Sequence, residues 1–550
     1  LNLFKKPYIS PDEKKQMKND WLLLIFSGVL LGLAFPPFPF PFTLLIFIGL
    51  IPYFIVVKRR TTLASISRAT FLFSFVFSII TIYWVGSWSS EADPFLMMGG
   101  AALLFAYPCV LLIPSTLYYL TKKVFPKFDA LWLFPFFWVT LEYLLTLTDL
   151  RFPWLLLGHG LAKFDLFIQV ADIIGTFGLS LIAVYLNLLL YKALFEKKRK
   201  HGINLIQALS AVVIFIFLIL YGIYKTSTFE ISEKKVRVGI IQPDLNPWDK
   251  WEVGNINSLL DLYFDLSEKA VNDGAKVILW PETALPVYAF GGTYKFIEDT
   301  IFNFVNKNKI SLLTGMPDII YYTDTTNIPD DAKYAEQGKI YYATYNAMLL
   351  LNPGTRQVQR YGKMKLVPLG ERVPFADLLP VLGDIFKWGV GLGGWNIGKD
   401  TTVFSINSSF MDTIKVGGLV CYESVDPTFV SAFVQKGAEI ITVVTNDSWY
   451  GKSSGPYQHK EFAKLRAVEN RRSVVRCANG GISCIINALG ETESETELFT
   501  KTLLVGEVSI QNEVTFYNTY PAIVPVLCSV FSFWIFGMNI LLWLKNKFKL

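Results

Sequence analysis

Long runs of apolar residues constrain this chain more than any other feature of it. A helix crossing the hydrocarbon core of a bilayer needs about 17–25 apolar residues. Eight stretches approach or reach that length, at 21–38, 42–57, 69–88, 96–120, 130–147, 166–195, 203–224 and 519–544. With 52% hydrophobic and only 17% charged residues among 550, the composition is that of a membrane protein rather than an ordinary soluble one. Lys5, Lys6, Lys14, Lys15 and Lys18 precede the first stretch and no small-residue cleavage site follows it. It therefore reads as a retained helix, not a removed signal peptide.

Orientation follows from positive charge, because Lys and Arg favour the cytoplasmic side of short connections. The basic blocks are Lys58-Arg59-Arg60, Lys122-Lys123-Lys127, Lys197-Lys198-Arg199-Lys200 and the tail Lys545, Lys547, Lys549. Together with the N-terminal lysines they occupy every second connection, which predicts cytoplasmic termini and an extracytoplasmic segment between the seventh and eighth spans. The division expected is a membrane part at 1–229, a soluble domain at 230–512, and the last helix with its tail at 513–550.

The soluble segment alternates short β-branched runs with helix-like or loop stretches. VRVGIIQ (236–242), KVILWPE (276–282), ISLLTGMPD (310–318), AMLLLNPG (347–354), VGGLVCYE (416–423) and EIITVVTND (439–447) are such runs. This pattern predicts a layered α/β domain, with chemistry at strand ends. A net charge of +6 spread in short blocks argues against a nucleic-acid binder. Five cysteines without a CxxC pair, and three histidines without HExxH, suggest neither a disulfide framework nor a metal site. No cofactor is implied.

Three strand-end segments carry the parts of thiol-based acyl transfer. LWPETALP offers Glu282 as a general base. YGKMKLVPLGERVPF offers Lys363 and Lys365, cations able to hold an oxyanion, followed by Glu371. GLVCYESVDP offers Cys421 as nucleophile, with the N–H of Tyr422 as a second oxyanion donor. Taken singly, the cysteine reads as packing, the glutamate as a turn cap and the lysine as a solvated side chain. Their occurrence together in one domain, with so few histidines for a Cys–His mechanism, favours chemistry.

These segments, with NDSWYG, GPYQH and RAVENRRSVVRCANGG further on, LAFPPF in the first helix and FPWLLLG at 152–158, resemble the apolipoprotein N-acyltransferases, membrane enzymes of the nitrilase superfamily. The resemblance implies a membrane domain of about eight transmembrane helices carrying an extracytoplasmic α-β-β-α nitrilase-like domain. It implies Glu282, Lys363 and Cys421 as the catalytic triad, with Glu371, Tyr422, Glu423 and Trp251 (in NPWDKWE) in support. Lys365 stands where relatives often carry histidine, and His159 where many carry tyrosine.

The reaction so implied transfers an acyl chain from a glycerophospholipid, phosphatidylethanolamine in the first instance, through a cysteine thioester to the α-amino group of the S-diacylglyceryl cysteine of apolipoproteins. It needs no metal or cofactor, and the enzyme is expected as a monomer in a bacterial inner membrane with its catalytic domain in the periplasm. Two other readings compete: a membrane-tethered nitrilase-type amidase or hydrolase, and a transporter or scaffold whose outer domain only binds. The stretch 375–395, apolar but broken by Pro380, Asp384 and Lys387, is expected to form a mobile arm that gates acyl-chain entry. GVGLGG at 389–394 follows no strand and carries little weight as a dinucleotide site. Buried charges in a transporter would line a path; here Glu142 and Asp172 are read as packing or interface residues. His459 is weighed as a partner for Cys421 and set below the carboxylate and lysine.

Overall fold

Proline ends the first membrane helix early. The computed structural model describes residues 11–88, 94–196, 203–248, 250, 256–324, 328–336, 338–375, 394–408 and 411–548. In it the helix Pro11–Ala34 stops just before the Pro36-Pro37 pair, where a ring without an N–H cannot continue the ladder. Its apolar part, Asn19–Ala34, is shorter than a full span. Among the described residues seven helical segments are long and apolar enough to cross a bilayer: Phe40–Arg59, Leu63–Gly86, Leu96–Val124, Ala130–Leu147, Ala171–Phe195, Leu205–Thr228 and Ile523–Lys545. They correspond to the second to eighth stretches read from the sequence.

The two ends of this bundle differ in chemistry. At one end Arg60 pairs with Asp20, Lys58 with Asp129 and Glu196, and Lys192 with Asp129, while the Lys122 ammonium donates to the carbonyls of Lys58 and Arg60. Lys58 and Arg60 of one basic block and Lys122 of another thus share one ionic cluster with Lys192. At the other end the bundle meets the α/β domain.

That domain has two sheets. The first contains β1 (Lys235–Gln242), β2 (Val277–Trp280), β3 (Ser311–Tyr322), β4 (Lys333–Ala335), β5 (Ile340–Leu351), β6 (Val358–Gly362) and β13 (Thr502–Ser509), ordered β13-β1-β2-β3-β5-β4, with β6 also on β5. The second contains β7 (Val403–Ser408), β8 (Met411–Val420), β9 (Ile440–Thr445), β10 (Ser473–Ala478), β11 (Cys484–Ile486) and β12 (Thr492–Glu495), ordered β12-β11-β10-β9-β8-β7. Val238, Leu279 and Met348 of the first share one apolar cluster with Phe404, Leu419, Val443 and Val475 of the second. The other face of the first sheet packs on the helices Ile256–Asn272 and Lys295–Asn308. β1–β3 run parallel to one another, as do β8–β10. Their C-terminal ends therefore collect at common edges, where loops from both sheets meet. Cys477 and Cys484 lie within the shared cluster, as packing residues.

The ENRR segment, at the end of the helix Ser454–Asn470, rivets the domain to the membrane part. The Glu469 carboxylate accepts from Thr176 N (2.8 Å) and Thr176 Oγ1 (2.6 Å) and pairs with Arg466 at 2.7 Å. Arg471 donates to Asp172 at 2.8 Å and to Gln169 Oε1 at 2.8 Å, and Tyr221 donates to Asp172 at 2.7 Å. Gln458 is a second rivet. Its carbonyl accepts from Trp154 (2.7 Å) and Trp84 (3.2 Å), and its amide donates to the carbonyls of Pro36 and Thr81. Asp172 is thus an interface residue, and Glu142 caps a loop by accepting from Trp138 and Leu157 N.

Removing one partner of a buried ion pair leaves an uncompensated charge, at a cost of about 3–5 kcal/mol. Glu469→Ala, which strands the fully buried Arg466, is expected to lower stability by about that amount in detergent unfolding. Unfolding unchanged from the parent chain would show that the rivet contributes little.

Candidate active site

Each sheet delivers half of one polar cluster. Glu282 follows β2 after a single proline, and is seated where the chain passes so close to β3 that a Cβ on Gly315 would stand 2.6 Å from the Glu282 Cα. Lys363 follows β6 directly, its N–H donating to Asn346 O and its carbonyl accepting from Gly398 N. Cys421 follows β8 at the start of a short 3-10 turn, Cys421–Val425, with φ of 53°. A non-glycine residue in that left-handed region is strained, and here the strain falls on the candidate nucleophile.

The Lys363 ammonium, 1% exposed, lies 2.8 Å from Glu371 Oε1 and 3.4 Å from Glu282 Oε1. Asn346 Nδ2 donates to the same two oxygens, at 2.7 Å to Glu282 and 2.9 Å to Glu371. Asn446 N donates to Glu282 Oε2 at 3.0 Å, and Val367 N to Glu371 Oε2 at 2.8 Å. Burial alone would lower the Lys363 pKa, but Glu371, Glu282 and Cys421 overturn that and hold it well above the ordinary lysine range. Burial pushes the Cys421 thiol far up, and Glu282 adds to the effect while Lys363 opposes it. The resting sulfur is therefore protonated and needs a base.

Lys365 faces elsewhere: its ammonium sits 5.3 Å from the Phe429 ring, and its N–H donates to Glu423. Glu423, fully buried, accepts from Tyr361 OH (2.7 Å), Met364 N (2.7 Å), Lys365 N (3.1 Å) and Val420 N (2.8 Å). It ties the lysine loop to the cysteine turn. Tyr422 OH donates to Arg151 O at 2.9 Å, and its ring stacks on Trp154 at 6.2 Å, so the turn is also fixed to the 148–164 loop. His159 lies in that loop, stacked on Phe462 at 4.2 Å. Trp251 and all but the ends of the 375–395 stretch lie outside the described residues.

Beside the thiol stands a network of which sequence reading weighed only His459, as a partner for Cys421. His459 Nδ1 is 2.9 Å from Asp447 Oδ1, and His459 Nε2 is 2.9 Å from Ser424 Oγ and 3.2 Å from Cys421 O. Arg476 donates to Asp447 Oδ2. Burial works against the Asp447 carboxylate's ionisation, but Arg476 and His459 prevail and hold its pKa low. Burial and Arg476 keep the His459 pKa below its ordinary value. Donor atoms of Cys421, Asp447 and His459 lie within 4.8 Å of one another, close enough for a soft cation. The Arg476 guanidinium, against both Asp447 and His459, already supplies positive charge there, so the trio reads as a hydrogen-bonded network rather than a metal centre.

Two further groups escaped the sequence reading. Asn346 had a usable signal, a lone amide inside the apolar run of β5. Lys250, 2% exposed and with no hydrogen-bond partner for its ammonium among the described residues, is lowered by burial to about 7, with the Glu282 carboxylate opposing; nothing in the sequence singled it out.

Residues 237–515 match the carbon-nitrogen hydrolase family, and residues 27–189 match the apolipoprotein N-acyltransferase N-terminal domain. The apolipoprotein N-acyltransferase of Chlorobaculum tepidum is 30% identical over 518 residues, covering 93% of this chain and 95% of the relative. That of Geobacter metallireducens is 29% identical over 522 residues, covering 93% of each. Among solved structures, a nitrilase-superfamily amidase from Nesterenkonia overlaps 54% of this chain and 97% of its own at 16% identity, with a TM-score of 0.37.

Because the thiol pKa is raised, alkylation of Cys421 by iodoacetamide is expected to rise about tenfold per pH unit from pH 7 to 9 without a plateau. Peptide mass mapping against Cys421→Ala measures this. A plateau near neutrality would mean a stabilised thiolate instead.

Proposed function

Because this chain belongs to the apolipoprotein N-acyltransferase family and carries a carbon-nitrogen hydrolase domain, we propose that it transfers an acyl chain from a glycerophospholipid to the N-terminal amine of lipoproteins through a thioester on Cys421. The observation that carries this reading is the buried Lys363 ammonium shared by Glu282 and Glu371 next to a protonated thiol on a strained turn.

In the first half-reaction Glu282 takes the thiol proton as the sulfur attacks the ester carbonyl carbon. The oxyanion is held by the Lys363 ammonium and the N–H of Tyr422. Collapse breaks the ester C–O bond, Glu282 returns its proton to the departing alkoxide, and a lysophospholipid leaves. In the second, the α-amine of the S-diacylglyceryl cysteine attacks the thioester carbon and gives its proton to Glu282. The C–S bond breaks, the sulfur recovers the proton, and an amide remains. An amide is more stable than a thioester, so no energy source is needed.

Glu371 and Asn346 keep Lys363 aimed between sulfur and base, Glu423 fixes the two loops, and Trp251 is assigned a supporting role on resemblance alone. Membrane attachment follows from the substrates: withdrawing an acyl chain into water costs about 0.8 kcal/mol per CH₂. We assign residues 1–229 and 513–550 to the membrane part and 230–512 to the catalytic part. The ionic end of the bundle is placed on the cytoplasmic side by the positive-inside rule. The catalytic part then faces the periplasm of a bacterial inner membrane, where phosphatidylethanolamine is the donor proposed and the enzyme acts as a monomer.

A hydrolase would share the whole triad and differ only in letting water reach the thioester. In vesicles containing phosphatidylethanolamine and a diacylglyceryl lipopeptide, the enzyme is expected to make N-acyl lipopeptide with little free fatty acid. Glu282→Gln should slow this about 10²–10⁴-fold. Fatty acid as the main product would favour the hydrolase.

A further inference from the structure

Immediately beside the Cys421 thiol lies a cavity of about 20 Å³, room for one water-sized group. Its walls include Cys421, Asp447 and His459 together with three aromatic side chains, Trp154, Tyr422 and Tyr450. Among the described residues no lysine or arginine lines it; Arg476 approaches Asp447 at Oδ2, while Thr445 and His459 take Oδ1. Trp84 packs behind, 4.9 Å from Trp154 and 4.7 Å from Tyr450 between ring centroids.

These walls select among the groups that must visit the thiol. An oxyanion placed here would face an ionised carboxylate, whereas Lys363 offers it a cation elsewhere. A phosphate or glycerol head group is too large. A small cation is suited on both counts, since aromatic rings attract ammonium groups through their π-electrons and the Asp447 carboxylate adds to the attraction.

We propose that this cavity is the seat of the acceptor's primary amine. It holds the ammonium group against Trp154, Tyr422, Tyr450 and Asp447; the ammonium releases one proton to solvent, the amine so formed attacks the thioester carbon at Cys421, and its second proton passes to Glu282 and on to the Cys421 sulfur as the C–S bond breaks. The assignment rests on the acyl-enzyme reading above and extends it: an ammonium seated in the chamber displaces the one water it can hold. His459, bonded to Asp447 and to the Cys421 carbonyl, is a positioning residue for this seat, fixing both the carboxylate and the cysteine main chain.

The test uses the purified full-length enzyme, acylated with phosphatidylethanolamine and then mixed with methylamine, a primary amine whose ammonium head is of the size the cavity holds. Acyl-enzyme formation and its loss to N-methyl amide are followed separately by intact mass. The aminolysis rate is expected to saturate with methylamine concentration. Tyr450→Leu should raise the half-saturating concentration about tenfold, and Tyr450→Phe, which keeps the ring, should restore it to within about twofold of the parent. Strictly linear dependence on methylamine in the unaltered enzyme would overturn the proposal, whatever the variants do, and so would equal half-saturation in the parent and Tyr450→Leu. Failure to form any acyl-enzyme would instead overturn the underlying reaction.

Discussion

A buried ammonium is expensive unless anions surround it, and the position of Lys363 dictates much of the domain's construction. At 1% exposure it needs two carboxylates, and they come from separate segments, Glu282 after β2 and Glu371 in the loop beyond β6. Asn346 links the same oxygens from the middle of β5, and the N–H of Asn446, arriving from the second sheet, completes Glu282. With an amide donor and an ammonium on one side of Glu282 and a main-chain donor on the other, the carboxylate is held in one orientation. A fixed carboxylate beside a protonated thiol is what the proposed proton transfers require.

The same economy of fixed points connects this centre to the bilayer. Cys421 sits on a turn tied through Glu423 to the lysine loop and through Tyr422 to Trp154 and Arg151 of the membrane part. The helix behind the turn carries Gln458, Arg466 and Glu469, each bonded to groups in membrane helices or their connections. These contacts are buried and charged or bidentate, and so resist being pulled apart. A domain held this way keeps Cys421, the proposed nucleophile, at a constant height relative to the bundle, which suits the proposed substrates, since they cannot leave a bilayer cheaply.

Much of this was legible in the sequence, for identifiable reasons. Seven membrane helices were visible because length and apolarity are enough to define them; the first was read four residues too long at its C-terminal end because the FPPF prolines were counted within an apolar run. Glu282 and Cys421 drew notice because each follows an apolar strand, where an isolated polar residue stands out; Lys363 follows the polar strand VQRYG and was proposed from its motif. Lys363 and Lys365, between which only motif spacing chose, point apart, one toward the carboxylates and the other over Phe429. The interdomain rivets were not legible. ENRR entered only as part of the resemblance, and the fold reveals that Arg466, Glu469 and Arg471 are fully buried. Likewise the Asp447–His459–Ser424 network joins residues from three separate segments, a proximity that no local pattern encodes.

The central claim is that Cys421 carries the acyl group, and intact mass of the protein after incubation with phosphatidylethanolamine tests it most directly. The account predicts a mass increase of one acyl chain that hydroxylamine removes and that is missing in Cys421→Ala. An unmodified parent protein that nevertheless produces N-acylated lipopeptide would contradict it, because transfer would then proceed without the thioester.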